Sequence, residues 1–176
     1  MDNHLVLAAL GADKTGIVDE IARTASDSKC SIADSRMVVM GQEFSIIMMI
    51  SGTWDAIAKF EAHVPSLERR LGLSILTKRT EQRAPQKESM PYNVDVIALD
   101  NPGIVHEIAN FFATQGINIE SLETSNYAAP HTGSPMFALS MIVNIPAKVH
   151  LASLRESFLL FCDDRNLDAI LEPYKN

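Results

Sequence analysis

Two short segments of this 176-residue chain carry the residue types that could hold a small anion. The first is Asp13, Lys14, Thr15, Gly16 and Ile17; the second, 87 positions later, is Asp100, Asn101, Pro102, Gly103 and Ile104. They open the runs DKTGIVDEIA and DNPGIVHEIA, which are identical at seven of ten positions. In both, an acid and a glycine stand just before an apolar-periodic stretch. A helix starting there presents backbone N–H groups without intrahelical acceptors, together with the positive end of its dipole, which suits a carboxylate or phosphate. Glycine leaves room for a ligand or a neighbouring backbone to come close. Asn101 reads as an N-cap and Pro102 as the first helical residue, while Thr15 or Asp13 takes the capping role in the first copy. For one copy alone the plainer reading is a sharp strand-to-helix turn with no ligand.

Catalysis finds no comparable support. HEIAN, from His106 to Asn110, falls one residue short of the zinc motif H-E-x-x-H, because its last position is Asn. There is no phosphate-binding G-x-x-x-x-G-K, no nucleophile elbow and no C-x-x-C pair. Asp163 and Asp164 read as a solvated helix end, His131 as an exposed loop residue, and Glu20 and Glu107 as residues facing water or supporting the helix terminus. Cys30 and Cys162 do not occupy matching positions in the two halves, so they read as reduced, buried thiols rather than a metal site or disulfide. No catalytic residue, metal or cofactor is expected.

Net charge is −7. Residues 1–84 carry 10 Lys and Arg against 11 Asp and Glu, and residues 85–176 carry 5 against 11. Proteins that hold nucleic acid directly draw most of their affinity from Lys and Arg on phosphates, and this balance offers no basic face. Any role in gene control passes through another protein. No apolar stretch reaches the ~20 residues of a membrane span, and an acid at position 2 is unlike a secretory leader. A cytoplasmic protein is expected.

The elements that position the two turns also repeat. In the first half, Asn3 to Leu10 reads as a strand, and Ile17, Val18, Ile21, Ala22 and Ala25 share a helical face. SIADSRMVVM and EFSIIMMISG read as strands joined at Gly41 and Gln42. Ile57, Phe60, Val64, Leu67 and Leu71 mark a second helix, and LSILTK closes the set. The second half follows suit: YNVDVIAL, then the helical face of Ile104, Val105, Ile108, Ala109 and Phe112. INIESLETSNY and PMFALSMIVNI come next, then the stripe Leu151, Leu154, Phe158 and Phe161, and finally LDAILEP. The expected domains are 1–80 and 92–176, with 81–91 as a charged linker.

Two βαββαβ units imply an α+β, ferredoxin-like architecture: each a four-stranded antiparallel sheet with both helices on one face, because both crossovers are right-handed. The other face is then bare. The third strand of the first half is apolar on both sides, with Ile47 and Met49 opposite to Phe44, Ile46, Met48 and Ile50. That predicts a cover from the other half, a second chain or another protein.

The pattern D-x-x-G-I-V, an apolar helix and then GINI (Gly116 to Ile119) resembles the ACT domain, an amino-acid-sensing module of metabolic regulators. The resemblance spans the chain as two tandem units. It implies side-by-side pairing of units, with small ligands held where the strand-to-helix turn of one unit meets a neighbouring unit, and it leaves a homo-oligomer open. It assigns the ligand-binding role to both turns and to Asn118, and it places Ser31 at the matching position of the first half. The runs PHTGSPMFALSMIVNIPA and LRESFLLFCDDRNLDAILEP resemble the bacterial repressor family of the glycine cleavage genes. That implies contact with a DNA-binding transcriptional activator, relieved by a small amino acid, glycine. The alternative is an ACT-type structural interaction module without ligand binding. An ACT unit also opens some formyltetrahydrofolate hydrolases, but here a second unit stands where their catalytic domain would follow.

Overall fold

A computed structural model of the chain describes residues 3–81 and 89–175. The chain divides near residue 84 into two compact units. In the first, β1 (Asn3–Ala12), α1 (Ile17–Asp27), β2 (Ser31–Met40), β3 (Glu43–Gly52), α2 (Trp54–Leu71) and β4 (Ser74–Thr80) follow one another. The second repeats the order as β5 (Ser89–Leu99), α3 (Ile104–Thr114), β6 (Asn118–Ala128), β7 (Pro135–Pro146), α4 (Leu151–Asp163) and β8 (Asp168–Pro173). The sheets are antiparallel four-stranded sets ordered β2-β3-β1-β4 and β6-β7-β5-β8. β5 begins at Ser89, inside the segment 81–91 read as a linker, and residues 82–88 of that segment lie outside the described residues.

Strand alternation sorts side chains onto two faces. On the helix-facing side Leu5, Leu7 and Ala9 of β1 join Phe44, Ile46, Met48 and Ile50 of β3 in the core, under Ile21 of α1 and Phe60 of α2. In the second unit Val94 and Val96 of β5 and Leu139 and Met141 of β7 lie under Ile108 and Phe112 of α3 and Phe158 of α4. Phe111, Phe112, Phe158 and Phe161 form a tilted ring cluster with centroids 5.0 to 6.5 Å apart. The first unit has Thr24 and Ala25 at the positions of Phe111 and Phe112, so its helices meet through smaller residues.

One expectation changes. Val18 and Val105, read as members of the buried helical faces, are exposed. Each is one residue, about 100° of helix, beyond a buried isoleucine, which turns it off the sheet. Within the first unit itself nothing covers the face carrying Ile47: Ile47 is half exposed and the edge strand β2 is exposed at every position.

Candidate functional site

Each turn begins with a backbone bond that closes the sheet end: Asp13 N–H donates to the carbonyl of Gln42 at 2.9 Å, and Asp100 N–H to that of Pro135 at 3.0 Å. The helix N-caps are Gly16 and Gly103, with φ of 95° and 103°, and neither helix has a side-chain cap. Asn101, Thr15 and Asp13 therefore do not cap, and Pro102 precedes the helix instead of opening it. The first intrahelical bonds run from Glu20 N–H to the Gly16 carbonyl and from Glu107 N–H to the Gly103 carbonyl, both 3.0 Å. The N–H groups ahead of them, from Ile17 and Ile104 onward, keep the polarity of an uncapped terminus.

The reason for glycine differs from the one expected. A Cβ at Gly16 or Gly103 would meet nothing within 4 Å, so crowding does not select glycine; positive φ does. The turn residues Asp13, Lys14, Thr15, Asp100, Asn101 and Pro102 are exposed. Ile17 and Ile104 differ from them: their side chains are 2% and 8% exposed and belong to the core, leaving only their backbone N–H groups to the turn.

The two turns are not equivalent electrostatically. Asn126 on β6 donates from Nδ2 to Asp100 Oδ2 at 2.8 Å, orienting that carboxylate. The register puts Val39 at the same place in the first unit, since Val39 pairs with Phe44 as Asn126 does with Phe137. A valine offers Asp13 no such bond. Lys14 instead reaches the C-cap of α2, where its Nζ lies 3.9 Å from where a Gly72 Cβ would stand, close to the negative end of that helix.

Ser31 and Asn118 lie elsewhere. Each starts its edge strand, paired with Ser51 and Asn144, whereas the turns adjoin the opposite strand ends. Nine steps of strand separate Ser31 from Met40, about 30 Å. One unit therefore cannot bring its own turn together with its own Ser31 or Asn118. Beside Asn118, Asn144 donates to Glu120.

Glu20 and Glu107 join helices rather than face water alone. Glu20 accepts from Arg70 at 3.0 Å and from Arg23 at 2.6 Å, and Glu107 accepts from Arg165 at 2.6 Å. Arg165 also lies over the Phe161 ring at 4.0 Å. Cys30 and Cys162 are free and buried. Burial pushes both thiols up; for Cys162, with Asp163 adding and Arg165 opposing, the pKa reaches about 11. Among the described residues no group of three or more His, Cys, Asp or Glu could hold a metal ion, and no helix is long and apolar enough to cross a membrane.

Asn126 was not found from the sequence. Its signal is slight: a side-chain amide on a strand whose partner in the other half is apolar.

Residues 3–78 match the ACT domain family. The glycine cleavage system transcriptional repressor of Escherichia coli (strain K12) is 33% identical over 166 residues, 93% of this chain and 86% of that protein. A crystal structure provisionally assigned to a glycine cleavage system transcriptional repressor superposes with a TM-score of 0.76 at 29% identity, covering 100% of this chain and 99% of that one. A Galdieria sulphuraria protein of unknown function shares the fold, with a TM-score of 0.81 at 23% identity over 99% of this chain and all of that one. With its duplicated βαββαβ units, the chain belongs to the family of the glycine cleavage system transcriptional repressor, built as two tandem ACT domains.

Proposed function

We propose that the protein restrains a DNA-binding activator of glycine cleavage genes by direct protein contact, and that glycine bound at its turns alters the restraint. The observation that carries this reading is the pair of exposed turns whose helix N-termini have no side-chain cap, in a chain of this family. An amino acid brings two charges to such a place. Its carboxylate suits the free N–H groups, and its ammonium suits a carboxylate such as Asp100, which Asn126 already orients.

The second-unit turn is the stronger of the two, because Asp13 has Val39 in place of the orienting amide. Ser31 or Asn118 completes a site only from a neighbouring unit, since each is a strand length from its own turn. Ligand binding and unit association are then linked: a ligand held by two units favours the associated state by its difference in affinity for the two states. A regulator of this kind works in the cytoplasm, and no step of this reading calls for catalysis. The strands of the second unit contain no Lys or Arg, which fits contact with a protein better than with DNA.

Thermal unfolding across a panel of amino acids at millimolar concentration tests the reading. Glycine at ~100 times its Kd raises stability by ~2.7 kcal/mol, a readily seen midpoint shift. A selective glycine shift, followed by loss of activator binding on glycine titration, is the expected outcome. Indifference to every amino acid, with and without the activator, would establish the structural-module alternative instead.

A further inference from the structure

The edge strand of each unit carries a β-bulge near its start, and the two bulges hold different chemistry. In β6 the pairing passes from Ile119 opposite Val143 to Ser121 opposite Ile142, which leaves Glu120 without a partner across the strands. In β2 it passes from Ile32 opposite Ile50 to Asp34 opposite Met49, and the residue left over is Ala33. A bulge re-aims the side chain it carries. The second unit therefore places a carboxylate where the first places a methyl group.

Glu120 is also held. Asn144 of β7 lies between Pro91 of β5 and Asn118 of β6, on the sheet face away from α3 and α4, since its neighbours Val143 and Ile145 belong to the core. Although neither helix of its unit covers that face, Asn144 is only 9% exposed, and its Nδ2 donates to Glu120 Oε2. A buried amide has to be hydrogen-bonded, so this one fixes the carboxylate that serves it. Asn118, directly opposite Asn144, points to the same side and is exposed. An amide, a second amide and an acid thus share one side of the start of β6.

The first unit has the same backbone without the same groups. Ser51, opposite Ser31 as Asn144 is opposite Asn118, has only a hydroxyl, which donates to the Ser31 carbonyl at 3.5 Å. The one acid of β2, Asp34, is already paired with Arg36 at 2.5 Å and accepts from the Ser35 N–H at 2.8 Å. Glu120 has an amide but no cation: among the described residues it forms no ion pair, and β5 to β8 contain no Lys or Arg. A carboxylate oriented by a neutral donor, with its charge uncompensated, is ready to accept from a cationic N–H group.

We infer that Glu120, positioned by Asn144, takes the ammonium group of the ligand, and that it confines a site completed by the edge of β6 to molecules with a free amino group. This deepens the reading of the protein as a glycine sensor and rests on it. Asn118 carries a ligand role by resemblance to ACT domains, and Glu120 adds the charge that an amide lacks. An ammonium has three N–H donors, so Glu120 and a turn carboxylate such as Asp100 can share it. A site completed by the edge of β2 has Ser31 and Ala33 instead and discriminates less. The inference needs only the places of these residues within the second unit, whichever unit supplies the turn.

Titration calorimetry of the full chain with glycine and with glycolate tests this, because the two are matched in size and differ in ammonium against hydroxyl. The natural protein binds glycine at least about tenfold more tightly than glycolate. Glu120→Gln keeps the shape and removes the charge; it weakens glycine by at least about tenfold, the loss of one charge-assisted hydrogen bond, and leaves glycolate within about threefold. Asn144→Ser, which reproduces Ser51 of the first unit, moves the ratio of the two affinities in the same direction. Glu120 is exposed, and circular dichroism melts confirm that both variants fold. Glycine binding that Glu120→Gln leaves unchanged overturns the inference while the sensor reading stands. So does an equal loss of glycine and glycolate, which would make Glu120 a structural residue, or equal affinity of the natural protein for the two. If the natural protein binds neither, the sensor reading itself falls and the inference with it.

Discussion

Asn126 on β6 donates from Nδ2 to Asp100 Oδ2 across 2.8 Å, joining an edge strand to the turn that begins α3. The two residues lie 26 positions apart in the chain, and the bond holds the acid of only one of the duplicated turns. If the second turn is the better ligand site, this amide is a reason for it. Asn126→Val, which reproduces Val39 of the first unit, weakens glycine binding by about tenfold in calorimetry, the loss of one hydrogen bond to a charged group. The melting temperature without ligand changes little, because the pair is exposed. Unchanged affinity in the folded variant would remove Asp100 from the site.

Gly103→Ala isolates backbone geometry from crowding. The position has φ of 103° and nothing within 4 Å of the added Cβ, so the change costs ~1–2 kcal/mol through strain alone. Denaturant unfolding should show that loss with no change in m. A neutral result would mean that the turn relaxes to negative φ when the side chain is added.

Phe112→Ala removes a ring buried completely between Phe111 and Phe158. The loss is ~3–5 kcal/mol, from transfer of the ring and the cavity it leaves. The matching position in the first unit is already alanine, Ala25, so the same cluster cannot be removed there. A melt of the variant that shows less than about 1 kcal/mol of destabilisation would mean that Phe111 and Phe161 collapse into the gap.

Cys162 makes stability fall in alkali. Its thiol is held neutral by burial, with pKa raised from 9.0 to about 11. An unfolded chain releases that proton near the ordinary thiol value, so between about pH 9 and 11 the unfolded state binds fewer protons and folding weakens as pH rises. Below pH 8 the group has no effect. Guanidinium unfolding at pH 8, 9 and 10 should show this decline, and Cys162→Ala should lose that part of it. A native thiol that reacts with iodoacetamide at pH 8 as fast as the unfolded chain contradicts the burial on which this rests.

Duplication and element order were legible in the sequence because they depend on local periodicity. Alternation in EFSIIMMISG and three-four spacing from Ile57 to Leu71 are set by strand pleat and helix pitch, and β3 and α2 follow them. The repeated turn was equally visible, since Asp, Gly and Ile recur at one spacing. Its capping was not: Asn101 has a capping side chain, but positive φ at Gly103 transfers the N-cap to the glycine. Composition cannot reveal that choice, because it depends on how the chain leaves β5 to reach α3.

What the tertiary structure alone decided is which distant residues share a place. Val18 and Val105 have the composition of core residues, yet helix rotation over the sheet exposes them. Asn126 reaches Asp100 only because β6 lies across β7 from β5. Local sequence determines secondary structure through backbone preference and side-chain period, whereas neighbours across strands are selected by packing of the whole unit, which no short window contains.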